Sequence, residues 1–363
     1  MNGSAIPFIG LQRQYNNLKS EILDVTDSVL QSGRLMDGEY THRFETWLAA
    51  RNGTNYAITC HSGTQALEFI ARFYNKIWEE PRTAVIPSMT YVATANALIR
   101  AGWDVKICDV NTYGNMEPQH SERIYRNEKE LVHVVVGLYG SAISDEWDEI
   151  WPEFVIEDAA QHWLSNNSRR MGNVAAISFD PTKNLSNYGN GGAVVTNDEW
   201  LNAFMRAERN NGKDSGAKQS LTGTNSRMSE VDCAQLLIKT KYIDQWQKRR
   251  AEIASYWIDK FSSKQDIRCL IDQSNFDTHC FQKFVIDVDY RDRLQSRLHE
   301  KNIETKSHYP VPLHEMPAYA GRTKDSAMVA SSLCRRVLSL PIYPELSDSE
   351  VEYISDQVIT CVS

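Results

Sequence analysis

The sequence lacks a long apolar run and a charged, apolar leader. No apolar stretch in its 363 residues approaches the roughly 20 residues that are needed to cross a bilayer. The first ten residues, MNGSAIPFIG, lack the basic start and the long apolar stretch of a secretory signal. We therefore predict a protein with no membrane partner that stays in the cytoplasm.

Paired cysteines and clusters of basic charge are also missing. The seven cysteines are odd in number, scattered, and without a CxxC pair, which argues against a disulfide framework and against a zinc site. The 47 acidic residues outnumber the 39 basic ones, and the net charge of −8 comes without a long basic run. The positive field that attracts nucleic acid is therefore absent, and we expect neither a nucleic-acid partner nor a metal ion.

The composition that remains is that of a globular enzyme. Hydrophobic residues make up 42% of the chain and charged residues 24%, which leaves enough apolar surface for a substantial core. Because 363 residues exceed what one core usually supports, we expect two domains. The boundary is placed in the long helical stretch that follows Ser229, which predicts a large domain over 1–240 and a smaller α/β domain over 241–363.

Short β-rich runs alternate with helical patterns in the first half of the chain. The runs read TAVIPSM, WDVKICDV, LVHVVVGLYG, EFVIEDAA, VAAISFD and GGAVVTN. Helical patterns occupy GTQALEFIARFYNKIW and TYVATANALIRAG, the second of which ends at Gly102. This alternation predicts the α/β class, with a mostly parallel sheet flanked by helices.

Ligands of such a sheet bind beyond the carboxyl ends of its strands, so polar residues in the loops there are candidates. Ser62, Gly63 and Thr64 open a helix, where backbone N–H groups and hydroxyls could hold a phosphate. An ordinary N-cap with a tight turn explains the same residues. Tyr91 follows another strand and could stack on a planar ring, or it could belong to the core.

Two further loops carry reactive groups. Asp158 could pair with a protonated ring nitrogen or cap a helix, and Gln161 follows it three residues later. Lys183 comes just after a strand that includes Ser178, whose hydroxyl could also bind phosphate. A buried lysine can serve as an amine nucleophile, although most lysines are solvated surface charges.

The order of these groups is more informative than any one of them. A phosphate loop, an aromatic platform, an aspartate for a ring nitrogen and a lysine amine are together what pyridoxal 5′-phosphate requires. Asp158 and Lys183 are separated by a stretch that accommodates one strand and its loops. The sequence therefore predicts this cofactor.

The chain resembles the DegT/StrS-type sugar aminotransferases, a fold-type-I group of pyridoxal-phosphate enzymes. The similar blocks cover nearly the whole chain and include IPFIGLQRQY, HSGTQALEF, PSMTYVATANALIRAG, VIEDAAQ, ISFDPTKNL, GTNSRMSEV and HYPVPLHEMPAY. The resemblance implies that Lys183 forms the Schiff base, that Asp158 pairs with the pyridine nitrogen, and that Gln161 contacts the ring hydroxyl. It also implies that Tyr91 stacks on the ring.

The resemblance further implies phosphate contacts from Gly63, Thr64 and Ser178, next to Ser62. In the family, the asparagine at the position of Asn225 reaches in from the other subunit, near Arg227, so we expect a homodimer. The reaction implied is transfer of an amino group from L-glutamate to a nucleotide-linked keto sugar.

The chain departs from the family pattern at two places near the expected substrate pocket. His162-Trp163-Leu164 replaces a small, glycine-containing stretch, and Gly137 replaces a histidine. The segment from Lys183 to the following glycines is one residue longer than in members that aminate carbon 4, and residues 225–227 read N-S-R. Both features resemble members that aminate a 3-keto sugar.

Three alternatives remain at this stage. A sugar dehydratase on the same scaffold would carry a histidine in place of Lys183, so the lysine argues against it. Another pyridoxal-phosphate enzyme of fold type I is disfavoured by the sugar-type blocks. A catalytically silent regulator that keeps the fold and the dimer is the third.

Overall fold

A computed structural model describes residues 5–125, 127–128, 131–150, 155–165, 174–324 and 326–362. Its α-helices are Leu11–Ser32 (α1), Glu39–Asn52 (α2), Gly63–Trp78 (α3), Val92–Arg100 (α4), Pro118–Tyr125 (α5), Glu146–Ile150 (α6), Glu199–Glu208 (α7), Glu230–Thr240 (α8), Ile243–Phe261 (α9), Arg291–Glu300 (α10), Met328–Arg336 (α11) and Asp348–Val362 (α12). Its strands are Tyr56–Cys60 (β1), Thr83–Pro87 (β2), Asp104–Cys108 (β3), Leu131–Val136 (β4), Val155–Asp158 (β5), Val174–Ser178 (β6), Gly192–Thr196 (β7), Arg268–Cys269 (β8), Phe284–Asp287 (β9) and Val337–Leu340 (β10).

The first seven strands form one sheet in the order β1-β7-β6-β5-β4-β2-β3. Strands β2 to β6 pair in parallel, whereas β7 runs antiparallel to both of its neighbours, β1 and β6. The mostly parallel sheet predicted from the sequence is therefore confirmed. Strand β1 is not among the predicted runs, because its five residues carry little periodic signal. Glu153 and Phe154 of the predicted run EFVIEDAA lie outside the described residues.

Helix α3 covers the sheet along one apolar face. Its buried residues include Leu67, Phe69, Ile70 and Phe73, which pack in one cluster with residues of β1, β2, β3 and β4. The bounds of α3 agree with the predicted helix, since the apolar periodicity fills the element from end to end. Helix α4 ends two residues before Gly102, which has a positive φ of 90° and stops the chain from continuing as a helix.

The last three strands form a second sheet in the order β10-β9-β8. Helices α9 and α12 pack on it around a core that includes Trp257 and Phe284. The helical stretch predicted after Ser229 is divided into α8 and α9 by a break at residues 241–242. The division into 1–240 and 241–363 stays a prediction. Ile6, near the start of the chain, lies in the core of the second sheet, and its N–H donates to the Asn302 carbonyl at 2.7 Å.

Among the described residues, none of the helices is both long enough and apolar enough to span a membrane.

Candidate active site

The candidate residues meet at the carboxyl ends of strands in the seven-stranded sheet. Cys60 and Ser178, the last residues of β1 and β6, both lie opposite Gly192, the first residue of β7. A Cβ atom at Gly192 would lie 2.3 Å from the Ser62 carbonyl carbon and 2.4 Å from the Gly63 nitrogen. The missing side chain of Gly192 therefore lets the turn before α3 lie directly beside the end of β6.

This turn presents free backbone donors at the start of a helix. The Ser62 hydroxyl accepts from the Gln65 N–H at 3.2 Å, and the Ser62 carbonyl accepts the first intrahelical bond, from Ala66 at 3.0 Å. The N–H groups of Gly63 and Thr64 precede that bond, so they point out of the helix end with its positive dipole. A Cβ atom at Gly63 would lie only 2.8 Å from the Ser178 Cβ. The turn and Ser178 thus form one small anion cradle, in which Ser62 also acts as the N-cap.

Asp158 is a buried carboxylate at the end of β5, with 5% of its surface exposed. Its Oδ2 accepts from the Thr94 hydroxyl at 2.8 Å, and its Oδ1 accepts from the Ala160 N–H at 3.2 Å. Burial raises the pKa of Asp158, against the lowering effect of these bonds and of the Lys183 charge. Among the described residues, Asp158 forms no ion pair. A cationic ring nitrogen would supply the positive charge that stabilises a buried carboxylate.

Lys183 lies in the loop after β6 and faces the same space. The backbone N–H of Lys183 donates to the Asp180 carbonyl at 2.9 Å. The carbonyl of the preceding residue, Thr182, accepts from the Gln282 side chain at 2.8 Å. Desolvation lowers the pKa of Lys183, while the carboxylates of Asp180 and Asp158 oppose the shift. Lys183 is partly rather than fully exposed, so its desolvated surroundings disfavour the interpretation of this residue as a solvated surface charge.

Gln161 and Tyr91 lie on either side of Tyr309. The Gln161 Oε1 accepts from the Tyr139 N–H at 2.9 Å, and its Nε2 donates to the Tyr309 hydroxyl at 3.3 Å. The rings of Tyr91 and Tyr309 have centroids 6.0 Å apart. Tyr91 is 55% exposed, so the interpretation that it belongs to the core is wrong.

A family comparison bears directly on this arrangement. The model of the DegT/DnrJ/EryC1/StrS aminotransferase family matches residues 16–359. The chain belongs to this family. The predicted resemblance, the fold class and the prediction that the chain is an aminotransferase are thereby confirmed.

Curated relatives and a solved structure agree over almost the full length. A dTDP-3-amino-3,6-dideoxy-alpha-D-galactopyranose transaminase of Aneurinibacillus thermoaerophilus is 34% identical over 97% of this chain and 98% of its own. A dTDP-3-amino-3,4,6-trideoxy-alpha-D-glucose transaminase of Streptomyces venezuelae is 33% identical over 97% of this chain and 95% of its own. The crystal structure of S. venezuelae DesV with a ketimine intermediate is 32% identical, with a TM-score of 0.90 over 98% of this chain and 97% of that one.

A further member of similar length has a name of a different kind. The "Pleiotropic regulatory protein" of Geobacillus stearothermophilus is 31% identical over 97% of this chain and 97% of its own. The family thus includes a relative that is named for regulation rather than for transamination.

The two departures from the family pattern touch each other. A Cβ atom at Gly137 would lie 2.4 Å from Cγ of His162, so the ring of His162 fills the space beside Gly137. His162 Nε2 and Glu157 Oε1 form a hydrogen bond, and both side chains are fully buried. The imidazole of His162 therefore occupies the space that a side chain at position 137 would need.

Asn225 is exposed on the described chain, next to the turn that opens α3. It forms an isolated bridge with Asn210, and the following Ser226 carbonyl accepts from the His61 N–H at 2.8 Å. Asn225 thus lies beside the anion cradle of its own chain, with its side chain turned to the surface.

Sequence reasoning missed several residues of this family site. Thr94, which bonds Asp158, lies on α4, and Tyr139 and Tyr309 come from a turn and a loop far apart in the chain. Lys283 also belongs to this group, since it precedes β9 and lies close to Lys183. The block HYPVPLHEMPAY was a usable signal for Tyr309, whereas nothing local marks Thr94 or Lys283.

Proposed function

We propose that this chain is a pyridoxal-phosphate-dependent aminotransferase that moves an amino group from L-glutamate to a nucleotide-linked keto sugar, with a 3-keto sugar preferred over a 4-keto sugar. The observation that carries the proposal is the convergence of a buried carboxylate, Asp158, and a desolvated amine, Lys183, beside an anion cradle at a helix start. The relatives whose names contain a 3-amino sugar support the choice of substrate.

The described residues fit the cofactor. The cradle of Gly63, Thr64 and Ser178 is so close that a Cβ at Gly63 would fill part of it, and its donors suit a phosphate. Asp158 is buried without a cationic side chain as its partner, which suits a protonated pyridine nitrogen. When pyridoxal 5′-phosphate is bound, its ring withdraws electrons from the carbon that gains or loses a proton.

The chain's own residues then have distinct roles. Asp158 would hold the ring nitrogen and keep it protonated, and Thr94 holds the carboxylate in place. Lys183 would hold the cofactor covalently, and its Nζ, once free, would carry the proton that is moved. Because burial lowers the pKa of Lys183, its amine is neutral more readily than a surface lysine and can accept that proton.

We also propose a homodimer in the cytoplasm. Asn225 is exposed beside the cradle, so it is placed to meet a second subunit. The seven cysteines are free thiols, which suits a reducing compartment.

The experiment combines covalent mapping with turnover. Borohydride reduction of the purified protein, followed by peptide mapping, is expected to place the reduced cofactor on Lys183 of the wild type and of a surface control, Lys264→Ala. Lys183→Ala is expected to lose both the adduct and turnover, because no other amine occupies that position. A panel of nucleotide-linked 3-keto and 4-keto sugars, with L-glutamate as donor, then tests the preferred position.

A catalytically silent regulator is the second candidate, because a relative of nearly equal length is named as a regulatory protein. The regulator would carry the cofactor on Lys183 yet convert none of the sugars. Turnover with any keto sugar of the panel excludes it, whereas an adduct on another lysine would overturn the assignment of Lys183.

A further inference from the structure

Lys283 is a buried lysine beside the proposed active site. It directly precedes β9, only 6% of it is exposed, and its N–H donates to the Tyr139 carbonyl at 3.0 Å. Its Nζ lies 5.8 Å from the centroid of the Phe8 ring, which stacks on His308 with a centroid distance of 5.5 Å. The backbone of Lys283 is thus held in place, and its amine lies near the ring of Phe8.

Positive charge dominates the surroundings of Lys283. Burial and then the cations Lys183 and Arg250 hold the pKa of Lys283 well below its usual range; Asp180 opposes this shift and Lys306 adds to it. None of the ion pairs formed by the described residues includes Lys283. A buried ammonium without a counter-ion is costly, so Lys283 favours its neutral form until an anion binds beside it and stabilises the charged form.

Arg250 adds an unused donor at the same place. Its side chain is 7% exposed, and one Nη donates to the Ile342 carbonyl at 2.7 Å. Its Nε is buried and has no hydrogen-bond partner. Glu345 is the carboxylate that faces Arg250, and it is shared with Lys239. Cationic side chains therefore outnumber carboxylates around Lys283 and Arg250.

Lys183, Lys283, Arg250 and Glu345 line one cavity of about 30 Å³. This volume exceeds the roughly 10–15 Å³ that a single water molecule requires. It leaves room for a small polar group such as a carboxylate. Because Lys183 forms part of its wall, a substrate that reacts at Lys183 can place a nearby carboxylate in it.

We infer that Lys283 and Arg250 form a subsite that binds a carboxylate of the substrate that reacts at Lys183. The inference rests on the proposed function. The carboxylate belongs either to the amino donor or to a sugar acid. Lys283 is then a specificity-determining residue, since the charge that it supplies selects substrates with an acid group.

Binding to the intact holoenzyme tests the subsite without turnover. Isothermal titration is expected to show that glutarate binds about tenfold or more tightly than its neutral analogue glutaramide, the effect of a charge-assisted hydrogen bond. Lys283→Met should remove this preference, Lys283→Arg should retain it, and the surface control Lys264→Met should match the wild type. If the wild type binds both compounds equally, the cavity holds water only and the inference is overturned.

The two half-reactions distinguish the sources of the carboxylate. If the donor supplies it, Lys283→Met raises the glutamate concentration needed for half-maximal rate in the first half-reaction and leaves the preference among sugars unchanged. If the sugar supplies it, the first half-reaction is unchanged, and the preference for a keto sugar acid over a neutral keto sugar is lost. A Lys283→Met enzyme that matches the wild type in both arms overturns the inference.

Failure of the proposed function gives a separate signature. In that case no borohydride adduct forms on Lys183 of the wild type. An adduct on Lys183 together with equal binding of glutarate and glutaramide refutes the subsite alone.

Discussion

At the scale of single residues, the candidate site contains ionisable side chains whose burial costs free energy of folding. Burial raises the pKa of Asp158 and lowers that of Lys183, so each group favours its neutral form when it stands alone. The negative charge of Asp158 and the positive charge of Lys183 stabilise each other. A cationic ring near Asp158 would stabilise its ionised carboxylate further. Because burial disfavours the charged form of each group, a bound cofactor of opposite charge would change its protonation state.

We expect Asp158→Asn to leave the fold intact and to slow conversion of the cofactor by L-glutamate by on the order of 100-fold or more, because an amide cannot keep the ring nitrogen protonated. Thr94→Val removes one hydrogen bond to the carboxylate and is expected to cost about tenfold. Single-turnover absorbance measures both rates. A wild-type rate in Asp158→Asn would leave Asp158 only a structural role, through its bonds from the Thr94 hydroxyl and the Ala160 N–H.

Lys239 provides a test of pH dependence away from the chemistry. Its fully buried amine donates to the Ser186 carbonyl at 2.6 Å and lies 3.7 Å from the Tyr188 ring centroid. Burial lowers the pKa of Lys239 from 10.5 to about 7. Between these values the unfolded chain holds a proton that the folded chain has released, so stability rises with pH across this window. The loss of stability caused by burying Lys239 is fully present below pH 7 and disappears above the pKa of this lysine in the unfolded chain.

We expect Lys239→Met to reduce the gain in unfolding free energy between pH 7 and pH 10 by about 3 kcal/mol relative to the wild type. Urea unfolding at the two pH values measures the gain. Lys241→Met, at an exposed position two residues away, serves as the matched control and should follow the wild-type profile. Equal profiles for Lys239→Met and the wild type would show that the amine is protonated in the folded state.

At the scale of elements, β7 and α3 together determine the shape of the anion cradle. Gly192 begins β7 between the ends of β1 and β6, and the backbone of the turn before α3 lies against it. Since the atoms it would meet belong to the backbone, a side chain at Gly192 cannot be relieved by a change of rotamer.

We expect Gly192→Ala to destabilise the fold by about 1–3 kcal/mol, the usual cost of overpacking, and to weaken cofactor binding by moving Gly63 away from Ser178. Gly189→Ala is the matched control, because the nearest atom to its new Cβ is a side-chain nitrogen of Asn187 at 3.9 Å. Thermal unfolding and cofactor titration measure the two effects. Equal behaviour of the two variants would contradict the close packing at Gly192.

At the scale of the whole molecule, the beginning of the chain joins its two sheets. Ile6 packs in the core of the second sheet, whereas Leu18 and Ile22 of α1 pack in one cluster with residues of β1, β6 and β7 of the first sheet. Leu23, Leu30 and Leu35 are exposed on the described chain, and an exposed apolar surface of this kind suits a subunit interface. A dimer would bring such surfaces together along with Asn225.

Mixed dimers test whether Asn225 acts across subunits. If it does, a Lys183→Ala subunit paired with an Asn225→Ala subunit has both lesions in one site and leaves the other site intact. The mixture should then recover part of the activity that each parent lacks. Subunit exchange must first be verified with labelled chains, and each parent must be strongly impaired. Labelled mixed dimers without activity would remove the support for a contribution from the partner subunit.

The sequence by itself determined the class of fold, and it predicted the candidate reactive groups. Apolar runs without alternation predict strands buried on both faces, and the end-to-end periodicity of α3 predicts its bounds, because both signals are local. Asp158 and Lys183 were found in the same way, since carboxyl ends of parallel strands always meet at one edge. Strand β1 and the break between α8 and α9 were missed, because short strands and helix breaks depend on neighbours that periodicity does not encode.

Only the tertiary structure decided which residues surround those groups. Thr94 meets Asp158 across 64 positions of sequence, and Gln282 meets the carbonyl before Lys183 across 100. The close approach of His162 to Gly137 and the burial of Lys283 near Lys183 also arise from packing between distant segments. The physical reason is that periodicity reports which face of an element is apolar, whereas the depth and charge of a pocket depend on every element that closes it.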